Sequence, residues 1–282
     1  MIGIVTDSTC DIPQALLEQH GIIVVPQVLI WGGQQYRDRI DMQPGEFYER
    51  LAADRQPPQS SQPTRMDFTS AFTRAVENGA SSIVTLVLSS TLSGSIDNAR
   101  SAAAECAVPV EVIDSRATSM GLGWQVLAAA RAIENGLDLQ SVLERVSQVR
   151  GRIVQIAGLN TLEYLKKGGR IGDVARWATT LLKIKPVVAL NILTNMVEPL
   201  GLVRTYNALV DLLYRKFFDQ LKGKKNMRIA VLHGNMLASA EALAERIKNE
   251  IDPMELLINS TGPVVGLHTG PGALGICGYA ED

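Results

Sequence analysis

Three turns rich in small and hydroxyl-bearing residues hold the side chains best suited to chemistry in this chain. They are SSQPT (Ser60 to Thr64), SSTLSGS (Ser89 to Ser95) and HTGPG (His268 to Gly272), each just after an apolar strand-like run or between two of them. Small residues let a backbone approach a ligand, and Ser, Thr and His supply neutral donors, so three such turns in one fold suit a small anionic head group. None contains the lysine of a nucleotide P-loop. In the second turn, Ser93–Gly94–Ser95 precede IDNARSAAAEC, a helix start whose N–H groups and dipole favour an anion; a plain serine N-cap has the same sequence. A nucleophilic serine there would need a base, and the G-x-S-x-G elbow is missing. His268 follows the apolar run PVVGL in a Gly- and Pro-rich turn, where it could donate to a carboxylate or phosphate or act as a structural hydrogen-bonder. Arg170, in KKGGRIG, could clamp an oxyanion, form part of a solvated basic turn with Lys166 and Lys167, or meet an acidic or nucleotide-bearing partner.

Metal chemistry is not expected. His20, His233 and His268 show neither H-x-x-x-H nor H-E-x-x-H spacing. Asp7 and Asp114 each follow a strand and could flank Mg²⁺, but residues of this kind close turns and cap helices, and they are assigned structural roles.

The turns need a scaffold, and the first half alternates strand and helix. IGIVTD, the extended run IIVVPQVLIW with a hairpin through Gly32–Gly33, SSIVTLVL and PVEVID read as strands. Helices are expected to Gln19, over Pro44 to Asp54, from a Thr64/Asp67 capping box to about Asn78, after SSTLSGS to about Glu105, and across Ser119 to Arg150; QPPQSSQPT reads as an irregular loop. The second half brings the strand RIVQIAGL, a short helix in TLEYLKKGG, a helix over Val174 to Lys183, and two strands joined at Thr194–Asn195. Helices at Tyr206 to Leu221 and Leu237 to Glu250 then flank MRIAVLH. The fold class is α/β in two domains: a Rossmann-like, mostly parallel α/β domain over residues 1–155 and a second α/β domain with a mixed or antiparallel sheet over 156–282. Beyond a local echo between VTDST and VIDSR there is no internal repeat.

Composition narrows the function. The 282 residues are 46% apolar, enough for a sizeable core, and 27 basic against 29 acidic residues give a net charge of −2, which argues against nucleic acid as a partner. Three widely spaced cysteines without a C-x-x-C pattern fit reduced thiols in the cytoplasm, Cys10 being the one placed where reactivity is worth testing. MIGIVTDSTCDIP reads as a first strand rather than a signal peptide, and no stretch suits stable membrane insertion.

In order and rough spacing, VTDSTCDIP, SSQPT, SSTLSGS, VIDSRATSMGLG, LEYLKKGGRIG, IKPVVAL and HTGPGALG resemble the DegV family of bacterial fatty-acid-binding proteins along essentially the whole chain. The resemblance implies a long-chain fatty acid buried near the domain junction, with no other cofactor. It also implies a non-enzymatic carrier that presents the acyl carboxylate to a separate ATP-binding fatty acid kinase subunit, which makes acyl phosphate. Carried over, Ser93 with Gly94, Ser61 or Ser60, and His268 would hold the carboxylate, and Arg170 would lie near the head group or the kinase contact; no catalytic residue is implied. Ser60 stands where the family usually has Thr, so a hydroxyl is retained. Two other readings stay open: a free-standing phosphotransferase or esterase using Ser93 and His268 directly, and a lipid-responsive regulatory protein.

Overall fold

The computed structural model describes residues 1–54, 56–177 and 184–281. From the N-terminus, β1 (Ile2–Asp7) leads through a short 3₁₀ turn to α1 (Gln14–Gln19), β2 (Ile23–Val25), β3 (Val28–Trp31), β4 (Gln34–Arg37), α2 (Pro44–Ala53) and β5 (Gln59–Ser61). There follow α3 (Arg65–Glu77), β6 (Ser82–Val87), α4 (Ser95–Ala103), β7 (Val110–Asp114), α5 (Met120–Glu134) and α6 (Leu139–Arg150). The second half contains β8 (Val154–Gly158), α7 (Glu163–Lys167), a 3₁₀ segment at Gly172–Trp177, β9 (Lys185–Asn191), β10 (Met196–Val203) and α8 (Tyr206–Gln220). It closes with β11 (Met227–His233), α9 (Leu237–Ile251), β12 (Glu255–Ser260), α10 (Pro263–Thr269) and β13 (Leu274–Ala280).

Two main sheets result. The first is wholly parallel, in the order β2-β1-β6-β7. The second is mixed, in the order β10-β9-β8-β13-β11-β12, antiparallel at every pairing except β11 with β12. The α/β class with one parallel and one mixed sheet is therefore the one the alternation of elements implied. Between the sheets lies α5, buried along almost its whole length. It packs on Ile4, Val84 and Leu86 of the first sheet and on Ala230, Leu232, Cys277 and Tyr279 of the second, which is why its sequence is apolar all round rather than striped. The Trp124 indole N–H donates to the Cys277 carbonyl at 3.2 Å and ties the helix to the second sheet.

Local signals held where a specific side chain or backbone conformation sets them. Thr64 and Asp67 form a reciprocal capping box at the start of α3, and Gly32–Gly33, both at positive φ, make the two-residue turn between β3 and β4. Three expectations need correction. Gln59–Ser61 is not an irregular loop but an edge strand paired antiparallel with β3, Ser60 opposite Leu29 and Ser61 opposite Val28. A three-residue strand is too short to show a period, and β3 supplies the backbone ladder that orders it. His268 lies in the last turn of α10, not in an irregular turn; Pro263 at its first position pre-sets the helix. The helix expected over Val174 to Lys183 is a 3₁₀ segment as far as Trp177, and residues 178–183 lie outside the described residues.

Candidate functional site

A cavity of about 290 Å³ lies between the two main sheets. Its floor is one face of the second sheet. In β13, Gly275 is opposite Ala157 of β8 on one side and Leu232 of β11 on the other, and residues opposite each other in an antiparallel ladder share a face. Ala157 and Gly275 thus make a shallow trough, which Val188 and Leu190 of β9 extend. Leu88 and Leu92 from the first half, Val264 and Val265 of α10, and Leu159, Leu165 and Ala273 add to the apolar lining.

The polar residues singled out from the sequence gather where SSQPT, SSTLSGS and α10 meet, while Thr118, Ser119 and Gln155 line the cavity elsewhere. Ser60, Ser61, Ser93, His268 and Arg170 all line the cavity. Ser60 Oγ is 3.3 Å from His268 Nε2, and Ser93 Oγ is 2.9 Å from Ser95 Oγ, which accepts from Gln27 Nε2 at 3.1 Å. Ser61 is exposed. Gly94 differs from expectation: its N–H is not free but donates to Gln62 Oε1 at 3.1 Å, joining the two serine turns, and Gly94 is not part of the cavity lining. Since His268 meets Ser60 and Ser93 meets Ser95, the Ser93–His268 pair that a direct hydrolase would need is not formed.

Contacts from both halves fix the SSTLSGS loop. Asp7 accepts from Leu88 N at 2.8 Å, and Asp114 accepts from Ser90 Oγ at 2.5 Å. Both aspartates end strands that flank β6, so the echo between VTDST and VIDSR reflects two parallel strands finishing in similar turns at one sheet edge. From the second half, Asn195 in the turn between β9 and β10 accepts from Ser89 Oγ at 2.6 Å through its side chain and from Thr91 Oγ1 at 2.7 Å through its carbonyl. Arg170 donates through Nε to the Leu92 carbonyl at 3.2 Å and through Nη1 to the Gly168 carbonyl at 2.5 Å.

The two glycines of KKGGR act differently. Gly169 has φ +70, the left-handed conformation that ends α7. Gly168 has ordinary φ, but a Cβ there would fall 2.1 Å from His268 Nδ1, a buried atom without a hydrogen-bond partner. Gly168→Ala should therefore displace the imidazole, at an overpacking cost of about 1–3 kcal/mol. Gly169→Ala should cost about 1 kcal/mol of stability and leave the imidazole in place. Imidazole NMR shifts alongside urea titrations check this; an unmoved His268 resonance in Gly168→Ala would contradict the packing.

Burial, and then the Arg170 charge, pull the His268 pKa down to about 4 from 6.5, so the ring is neutral at neutral pH. Burial pushes Asp38, at the junction between the halves, up to about 7 from 3.8. The linkage signs oppose. Between pH 4 and 6.5 the unfolded chain protonates His268 and the native protein does not, so this residue makes stability rise with pH. Across pH 4 to 7 the native protein keeps a proton on Asp38 that the unfolded chain loses, so stability falls with pH. We expect the urea midpoint of Asp38→Asn to rise from pH 4.5 to 6.5 relative to wild type, and that of His268→Gln to fall. Parallel profiles for the two variants would refute the assignment.

Sequence reasoning missed the polar network behind the site. Asp11, fully buried, pairs with Arg39 at 2.5 Å and accepts from Ser119 Oγ at 2.5 Å and Gly262 N at 2.9 Å. Arg39 also donates to the Ser260 carbonyl at 2.8 Å, while Asp38 accepts from Ser8 Oγ at 2.6 Å and Val264 N at 3.3 Å. Cys10, next to this network, is buried, and its thiol is pushed up to about 12 by desolvation, so the reactivity considered for it is not supported. Among the described residues, no three His, Cys, Asp or Glu side chains gather as a metal cluster, and no helix is long and apolar enough to cross a membrane.

The family described as "Uncharacterised protein, DegV family" matches residues 1–281. A DegV domain-containing protein of Streptomyces coelicolor is 34% identical over 276 residues, covering 98% of this chain and 97% of its own. Among solved structures, a fatty-acid-binding DegV family protein of Thermus thermophilus superposes with a TM-score of 0.91 at 33% identity, covering 99% of each chain. A stearic-acid-binding protein of Eubacterium ventriosum superposes with a TM-score of 0.90 at 26% identity, covering 100% of this chain and 99% of its own. With the family matched from end to end and the whole architecture shared, this chain belongs to the DegV family.

Proposed function

We propose that this protein binds a long-chain fatty acid and presents its carboxylate to a separate ATP-dependent kinase subunit that forms the acyl phosphate. The observation that carries the binding half is one cavity that brings Ser60, Ser93, His268 and Arg170 together and continues along an apolar trough on the second sheet. The solved relatives that bind fatty acids support the same reading. A tail of about fifteen methylenes offers roughly 12 kcal/mol of gross transfer energy before ordering and association costs, against about 0.5–1.5 kcal/mol net for each head-group hydrogen bond, so the tail supplies most of the affinity. The head group then needs only placement. Hydroxyls and a neutral imidazole provide this without closing the carboxylate in a tight ion pair, and an oxygen stays available for phosphoryl transfer.

The presenting role is supported by the exposure of Ser61 and Gln62 at the hydroxyl end and by the exposed Lys166 preceding Arg170, beside Lys167, which pairs with Glu163 at 2.6 Å; this is an edge suited to an anionic or nucleotide-bearing partner. A cytoplasmic location belongs to this reading, with Cys10, Cys106 and Cys277 all unpaired. Denaturing solvent extraction of the purified protein, followed by mass spectrometry with a mock-purified control, tests binding: near-stoichiometric long-chain fatty acid is expected. A protein that is empty and refuses added fatty acid after delipidation would remove the reading. For the presenting role, Ser93→Ala should slow acyl phosphate formation by the kinase subunit more than it weakens tail binding; full turnover with this variant would remove Ser93 from the head-group site.

A further inference from the structure

β8 and β9 are neighbours in the second sheet, yet their ladder covers only Ile156 with Ala189, Ala157 with Val188, and Gly158 with Val187. Beyond Ile156 each strand stays bound to its outer neighbour: Gln155 and Val154 pair with Cys277 and Gly278 of β13, and Leu190 and Asn191 pair with Val197 and Met196 of β10. The middle ladder thus ends while those on either side continue. A second cavity of about 570 Å³ adjoins this end, walled by Gly151–Gln155 and Ala189–Leu193; Ile153, Leu200, Leu221 and Ala280 give it an apolar side, and Arg152, Glu198, Gln220 and Lys224 a polar one.

Gln155 and Leu190, on either side of the open ladder, line both cavities. The Gln155 amide is held to one side: Nε2 donates to the Thr118 carbonyl at 2.9 Å, and Oε1 lies where a Cβ on Gly121 of α5 would come within 2.4 Å. Leu190 is the apolar member of the pair. The first cavity, at about 290 Å³, falls just below the ~300–1,000 Å³ typical of small-molecule sites, so a long acyl chain gains from the adjoining space.

We propose that the unpaired end of the β8–β9 ladder is the distal exit of the acyl channel, and that Leu190 and Gln155 form the gate through which chains outgrowing the first cavity pass into the second. The inference rests on the fatty-acid reading above. Each methylene that finds apolar contact beyond the gate multiplies affinity about four-fold, so the gate sets the chain-length preference.

The test uses delipidated wild-type protein and saturated fatty acids carrying a terminal diazirine. A twenty-carbon probe should label peptides containing residues 151–154 or Leu221, and a twelve-carbon probe should label first-cavity residues such as Val264 or Ala273 instead. Leu190→Trp, which plugs the gate, should lower the ratio of twenty-carbon to fourteen-carbon affinity at least ten-fold, while Leu190→Ala should not lower it. Labelling confined to the first cavity for both probes, or an unchanged ratio in Leu190→Trp, would overturn the gate while leaving fatty-acid binding in place. Failure of every chain length to bind wild type would overturn the fatty-acid reading and the gate with it.

Discussion

Gly275→Leu is expected to lower affinity for a long-chain fatty acid by about 60- to 250-fold without unfolding the protein. Gly275 lies in the middle of β13 on the cavity floor, and it is absent from the residues at positive φ, so a leucine backbone fits there. A Cβ at this position would meet only the Ile156 carbonyl at 3.5 Å and Leu232 Cβ at 3.8 Å, both ordinary contact distances. The added side chain therefore extends into the cavity instead of straining the sheet, and takes the room of three or four tail methylenes, each worth about 0.8 kcal/mol when buried. Gly278 on the same strand has no such room, since a Cβ there would come within 2.3 Å of the Arg228 carbonyl, and Gly278→Leu should destabilise the sheet. Titration of delipidated protein with fatty acid, beside a thermal unfolding curve, separates the two effects. Unchanged affinity in a folded Gly275→Leu would mean that the tail does not lie along the Ala157–Gly275 trough.

The fold was readable wherever local chemistry determines conformation. The Thr64–Asp67 box, the Gly32–Gly33 turn and the continuous apolar run of β6 each fix an element with little help from distant residues. Elements whose order comes from their neighbours were not readable. The edge strand Gln59–Ser61 exists because β3 offers it a ladder, and β12 has the alternating-face ambiguity of a short run that only its pairing with β11 resolves. The seven residues of α10 contain too little periodicity to be told from a turn, although the helix carries His268 to the cavity.

For the site, turn composition pointed to Ser60, Ser93, His268 and Arg170, and the structure brings all four to one cavity although they are far apart in the chain. It could not reveal which neighbours would occupy their donors. Gly94 loses its free N–H to Gln62, a residue two positions beyond Ser60 that carried no signal of its own, and Ser93 is committed to Ser95. Nor could the trough be foreseen: Ala157, Gly275 and Cys277 read as ordinary small strand residues until the register places them on one face. The Asp11–Arg39 pair was invisible for a further reason, since Arg39 follows an unremarkable polar strand and finds one acceptor 28 residues before it, Asp11, and another 221 residues after it, the Ser260 carbonyl.

That pair supports the second large expected effect. Arg39→Ala should cost about 3–5 kcal/mol of stability, because it strands the fully buried Asp11 carboxylate without its cation and leaves Asp38 close by. Both partners sit at positive φ, +48 at Asp11 and +62 at Arg39, and alanine keeps the strained backbone while removing the contacts that compensate for it. The loss should extend to binding. Gly262 N and Val264 N, at the start of α10, donate to Asp11 and Asp38, so disturbing these acceptors loosens the helix that carries Val264, Val265 and His268. The double variant Asp11→Asn/Arg39→Met removes both charges together; asparagine tolerates the left-handed backbone, and most of the lost stability should return. Urea unfolding followed by Trp fluorescence and by circular dichroism measures both variants. A loss below about 0.5 kcal/mol in Arg39→Ala would show that water replaces the guanidinium, whereas transitions that coincide in wild type and separate in Arg39→Ala would show that the network couples the two halves into one cooperative unit.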